Sequence, residues 1–161
     1  MAIKAGDKVP QGQFMVKGAD GVKPVTSDEL FKGKTVVLFG LPGAFTPTCS
    51  AKHVPSFLNN HAALKAKGVD TIACLSVNDA FVMEAWGKDQ QVGDKIMMLA
   101  DGSGTYTEAL GLTLDLSARG MGKRATRFAM VVKDGVVKTV NVEANPGELA
   151  VSGGEAVLKT L

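Results

Sequence analysis

The chain has 161 residues, a formal net charge of +2 from 18 basic and 16 acidic side chains, and two cysteines, Cys49 and Cys74. That length makes one domain, residues 1–161, able to bury most of the surface its unfolded form exposes. The scattered charges give no basic stripe of the kind that binds nucleic acid, and two cysteines are too few for a secreted disulfide scaffold. No charged-then-apolar leader or long apolar span precedes the domain, so neither nucleic acid nor membrane is expected as a partner. The expected setting is a reducing compartment: the cytoplasm, or an organelle that has removed a transit peptide.

Taken in order, the stretch through Val25 suits short strands with a turn at Asp20-Gly21. Thr26 to Phe31 reads as one capped helical turn, ended by Gly33. Val36 to Leu41 is a short apolar run, β-branched at its start and bounded by turn residues, hence a buried strand. A helix from Thr46 to about Lys67 follows, stopped by Gly68 and kinked or divided by Pro55. Val69 to Val77 is a second buried strand, and Asp79 caps a helix carrying Phe81, Val82, Ala85 and Trp86. The strand–helix–strand succession implies a parallel pair. Ile96 to Ala100 is a third strand, and Asp101 to Gly104 a turn into a short helix, Thr105 to Leu110, ended by Gly111. Leu112 to Thr126 reads as irregular. Phe128 to Lys133 and Val136 to Val142 flank Asp134-Gly135, a strong two-residue hairpin signal, and a helix from about Gly154 to Leu161 closes the chain. These elements make an α/β fold with a central mixed sheet covered by helices.

Chemistry concentrates where the first buried strand ends, in Pro42-Gly43-Ala44-Phe45-Thr46-Pro47-Thr48-Cys49. Thr46 has the character of an N-cap and Pro47 that of a first helical residue. Cys49 then falls in the first turn, where unpaired N–H groups and the helix dipole favour an anion. A free thiol titrates near ~8.5, but at a helix N-terminus it can fall to roughly 3.5–7.5, so the pattern points to a reactive thiolate rather than an apolar filler. His53, at i+4, shares the helix face but reads as a surface or packing histidine. The set Cys49, His53, His61 and Cys74 matches no common zinc spacing, and Lys52 stands where a dithiol motif would carry its second cysteine. No metal or cofactor is expected.

Pro42-x-x-x-Thr46-x-x-Cys49, with Arg127 at the start of a late strand, resembles the peroxiredoxin family. The wider run to Ser50, Lys52-His53-Val54-Pro55, Ser76 to Asp79, Ala100 to Ser103 and Val140 to Glu143 is similar to its plant type II and atypical two-cysteine members, across nearly the whole chain. The resemblance implies a thioredoxin-like fold and thiol peroxidase activity toward hydrogen peroxide and alkyl hydroperoxides. Cys49 becomes the peroxidatic nucleophile, and Thr46, Arg127 and Pro42 complete the site. On residues alone Arg127 is a solvated strand-end arginine; the resemblance reverses that reading. It also implies a homodimer, with Phe45 as a contact.

The sulfenic acid left on Cys49 needs a reducing thiol. Atypical two-cysteine members carry one before the final helix, where this chain has Glu148 to Ser152 and Val151 at the expected position. Cys74, inside an apolar strand, reads as structural. An external thiol is therefore expected: glutathione with glutaredoxin first by the resemblance, thioredoxin second. A sensor or relay that passes oxidation to a partner protein is the alternative.

Overall fold

The computed structural model describes residues 1–161. At the centre of its sheet β3 (Thr35–Gly40), β4 (Thr71–Ser76) and β5 (Met97–Ala100) run parallel. Antiparallel strands complete it on both sides, β1 (Gln13–Gly18) and β2 (Gly21–Thr26) beyond β5, β8 (Phe128–Lys133) and β9 (Val136–Val142) beyond β3. The order is β2-β1-β5-β4-β3-β8-β9. This is the mixed α/β sheet expected from the sequence, in the thioredoxin-like class.

Alternation along β3 sends Val37 and Phe39 to one face and Val36 and Leu38 to the other, so each face carries a core. On the first face lie α2 (Val54–Asn59), α3 (His61–Ala66), α4 (Ala80–Asp89) and α6 (Gly154–Leu158), which contribute Phe57, Leu64, Trp86 and Val157. On the second lie α1 (Ser27–Phe31) and α5 (Thr105–Leu110), with Leu30, Phe31, Tyr106 and Leu110. Each such fully buried side chain contributes about 1.5–3 kcal/mol. Cys49 belongs to the first core, which places the sulfur inside the protein.

Local signals account for most boundaries. Thr26 and Glu29 form a reciprocal capping box at α1, and the Asp79 carboxylate caps α4 by accepting from the Val82 N–H. Asp134 and Gly135 both take positive φ, 48° and 76°, as a tight hairpin turn requires. No helix is long and apolar enough to cross a membrane.

Two expectations need correction, and a third gains detail. Leu112 to Thr126 is not irregular: β6 (Thr113–Leu116) pairs antiparallel with β7 (Gly122–Ala125) as a separate two-stranded ribbon. Its strands have four residues each, too few for a period to register. The closing helix ends at Leu158 rather than Leu161. The helix from Thr46 to about Lys67, expected to be kinked or divided by Pro55, is divided, and it also breaks at a point the proline does not mark. It begins at Pro47, widens into a π-turn over Cys49–His53 in which the Val54 N–H reaches back five residues to the Cys49 carbonyl, continues as α2, breaks at Asn60 and resumes as α3. Pro55 has no N–H to give an α-helical ladder, and the wide turn absorbs that loss just ahead of it.

Candidate active site

Cys49 sits in the first turn after β3, at the carboxyl end of the parallel strands, and is fully buried. The guanidinium of Arg127, the residue before β8, reaches it across the neighbouring strand pair, with Nη2 3.1 Å from the sulfur. Arg127 is only 2% exposed. Its Nε donates to the Pro146 carbonyl at 2.8 Å, and its Nη1 lies 2.9 Å from Nδ1 of His53. The ion pairs of the molecule are Lys4–Asp7, Lys17–Glu84, Lys23–Asp20 and Lys88–Glu84. Arg127 is therefore a buried cation without a carboxylate, aimed at a sulfur.

Thr46 occupies the N-cap position, and its carbonyl accepts from the Ser50 N–H at 3.0 Å. Its hydroxyl turns the other way and donates to the Gly43 carbonyl at 2.7 Å, which leaves the oxygen's lone pairs open as acceptors. Pro42 forms the turn between β3 and this helix, its carbonyl held by Arg124 Nη1 at 3.2 Å. The next residues are pinned by Asn78, whose Oδ1 accepts from the Ala44 N–H at 3.0 Å. Phe45 then takes a left-handed φ of 63°, a strained value for an aromatic residue, and stands 55% exposed. The fold thus brings Cys49 and Arg127 into contact, with Thr46 and Pro42 on the turn that delivers the cysteine.

Of the two roles expected for His53, surface or packing, the structure shows the packed one, with polar partners that the sequence did not suggest. It is completely buried, and its ring lies 4.9 Å from that of Phe39 between Arg127 and the segment before α6. Because Arg127 can only donate, Nδ1 is the acceptor. The proton is then on Nε2, which gives it to the Ser152 carbonyl at 2.9 Å. Burial, with the Arg127 charge beside it, pushes the imidazole down to about 3, so the ring is neutral. Ser152 is in turn held by Glu143. That carboxylate accepts from the Ser152 N–H and hydroxyl, at 2.8 and 2.7 Å, and from the N–H groups of Ala150 and Val151. Burial raises the carboxyl, but these bonds outweigh it and hold the group below the usual carboxylate range.

Arg124, Asn78, Glu143 and Ser152 carried no site reading in the sequence, and only the i+4 spacing of His53 marked it as a neighbour of Cys49. Cys74, in the middle of β4, is also fully buried. Burial, with Cys49 nearby, raises its thiol well above the ordinary range.

A thioredoxin-like sheet that presents a buried cysteine to an unpaired arginine defines a thiol-based redox protein. The pattern of the Redoxin family matches residues 4–158. The chain is 50% identical over 160 residues to peroxiredoxin-2C of Oryza sativa subsp. japonica, covering 99% of this chain and 98% of that one. It is 48% identical over 164 residues to the chloroplastic peroxiredoxin-2E of Arabidopsis thaliana, covering 99% and 70%. Reduced Prx3 of Vibrio vulnificus, solved in complex with hydrogen peroxide, superposes with a TM-score of 0.93 at 47% identity over 98% of each chain. The chain belongs to the Redoxin family and, within it, to the peroxiredoxins of the plant type II kind. Its chemistry is accordingly thiol-dependent reduction of peroxides.

Proposed function

We propose that this single domain is a peroxidase that reduces hydrogen peroxide and alkyl hydroperoxides at Cys49, through a sulfenic acid that an external thiol recycles. The observation that carries the reading is the buried Arg127 guanidinium, 3.1 Å from the Cys49 sulfur and without a carboxylate partner. An uncompensated buried cation is costly, and the sulfur is the neighbour able to carry the opposite charge. The thiolate attacks one peroxide oxygen. The O–O bond breaks with its electron pair on the other oxygen, which takes a proton and leaves as water or alcohol, while sulfur gains an S–O bond. Arg127 offers N–H groups to the charge that develops. The Thr46 oxygen, its own proton committed to Gly43, accepts from the incoming peroxide O–H. Pro42 walls the sulfur from water. The hydrogen peroxide complex of the Vibrio vulnificus relative supports that substrate.

An external reductant is supported by the state of Cys74, which is fully buried and whose thiol burial keeps protonated, and by the absence of cysteine from residues 144–153. Glutathione with glutaredoxin is the first choice, by similarity to type II members, and thioredoxin the second. A homodimer is supported by two exposed aromatics, Phe45 and Phe81 at 55% and 64%, on segments that the Asn78–Ala44 bond ties together. The cytoplasm is the proposed compartment, with a mature organellar form as the alternative that the chloroplastic relative supports.

Rapid mixing of the reduced protein with hydrogen peroxide, with sulfenic acid trapped, tests this. Cys49→Ser is expected to lose the reaction, and Cys74→Ser to keep both the reaction and the trapped species. Wild type that forms no sulfenic acid and reacts no faster than free cysteine would sink the reading.

A further inference from the structure

Four buried polar residues, Arg127, His53, Ser152 and Glu143, form one hydrogen-bonded chain that begins at the end of β9, passes through the Ser152 backbone to the His53 ring, and ends on the sulfur. Glu143 and Arg127 stand opposite each other just beyond the β8–β9 ladder, the Glu143 N–H donating to the Arg127 carbonyl at 2.9 Å. Facing residues of opposite charge ordinarily pair. These two do not. The carboxylate is spent on the backbone of residues 150–152, and the guanidinium on Cys49, His53 and Pro146.

We propose that Glu143 is a positioning residue for peroxide reduction: acting through Ser152 and His53, it sets the orientation in which Arg127 meets the Cys49 sulfur. The inference rests on Cys49 and Arg127 being the reacting pair. Arg127 makes three contacts, and two of them depend on the strap of residues 144–153. Nε needs the Pro146 carbonyl. Nη1 needs an acceptor at Nδ1 of His53, which exists only while the imidazole proton stays on Nε2, and the Ser152 carbonyl keeps it there. Release of Ser152 lets the proton move to Nδ1. Two N–H groups then face each other in a buried site, and the guanidinium must turn. Glu143 prevents this by binding Ser152 through both its N–H and its hydroxyl. The strap is also tied to the cysteine turn directly, since the Thr48 hydroxyl donates to the Gly147 carbonyl at 2.8 Å.

Imidazole nitrogen NMR of the reduced protein, with His61 identified by His61→Gln, reads the tautomer; peroxide mixing reads the rate of Cys49 oxidation. Wild-type His53 is expected as the pure Nε2–H tautomer. Glu143→Ala should give a mixture of tautomers and an oxidation rate about ten- to a hundredfold lower, the range expected when a reacting donor is displaced by up to about 1 Å. Glu143→Gln, which keeps the shape and one acceptor oxygen, should lie between wild type and Glu143→Ala in both readouts; it carries the test if the alanine variant does not fold. A folded variant with wild-type tautomer and rate overturns the proposal. So does a lowered rate with an unchanged tautomer, which would make Glu143 a structural anchor only. Failure of wild type to form sulfenic acid removes the peroxidase reading instead, and the tautomer measurement stays independent of it.

Discussion

The indole N–H of Trp86 donates to the hydroxyl of Ser50, 3.0 Å away, and Ser50 is the residue that follows Cys49. The single tryptophan of the chain is therefore wired to the turn that carries the sulfur. Oxidation of Cys49 is expected to change Trp86 fluorescence, with the same rate constant as the appearance of trapped sulfenic acid. Ser50→Ala should shrink that change and destabilise the fold by about 1–3 kcal/mol, because it strands a buried N–H. Stopped-flow fluorescence and urea unfolding check the two parts; an undiminished signal in the variant would show that the wire is not the reporter.

Arg127 reaches its three partners from three separate nitrogens of one rigid plane, a span that the single nitrogen of an ammonium does not cover. Arg127→Lys is expected to lose nearly as much as Arg127→Gln, on the order of 10²–10³-fold in the oxidation rate, as for removal of one preorganised donor. Peroxide mixing of both variants measures it. A lysine variant close to wild type would mean that charge alone suffices.

Burial holds His53 neutral down to about pH 3, far below the ordinary histidine value of 6.5. The unfolded chain takes up this proton as pH falls through 6.5, and the folded one does not until about 3. The unfolded state therefore binds more protons across that window, and stability must drop with pH, by a total on the order of a few kcal/mol. Glu143, Asp7, Glu84 and Asp115 have lowered carboxyls whose stabilisation is lost only at and below the ordinary carboxylate range. In a Cys49→Ser background, where the proposed thiolate contributes nothing, the loss between pH 6.5 and 5 accordingly belongs to His53. Urea unfolding at several pH values should show it, and His53→Phe should flatten the curve in that interval.

Gly154 opens α6 against α2, its N–H donating to the Ser56 hydroxyl at 3.0 Å. A Cβ at this position would overlap the Ser56 carbonyl, which is backbone and cannot step aside. Gly154→Ala is expected to cost about 1–3 kcal/mol, the range for overpacking, and to lower the unfolding midpoint. Thermal denaturation tests it.

Much of this was legible in the sequence because local rules governed it: the Asp134-Gly135 turn, the caps at Thr26 and Asp79, and the run from Val36 into the Pro42 turn. The parts that were not legible trace to two one-residue irregularities. Counting back from the hairpin turn pairs Arg127 with Val142, but the ladder shifts between Val131 and Val132, so Phe128 pairs with Val142 and Glu143 comes opposite Arg127. Likewise the π-turn at Cys49–His53 adds a residue to a helical turn that periodicity counts as regular. Neither has a marker in residue type, so the buried environment of His53 and the role of Glu143 emerge only in three dimensions. Thr46 shows a milder form of the same limit. Its position at the helix start was readable, but the direction of its hydroxyl was not.

The strap of residues 144–153 meets the cysteine turn and its partners through the carbonyls of Pro146, Gly147 and Ser152. Every amino acid supplies a carbonyl, so these bonds place little demand on which side chains the strap carries. Val151 is bound only through its N–H, and the residue stands 41% exposed. The outward surface of the strap can thus be rewritten by mutation while the carbonyls beneath it keep their hold on Thr48, His53 and Arg127. Sequence change on that outer face is thereby decoupled from the placement of the Arg127 guanidinium against the sulfur beneath it.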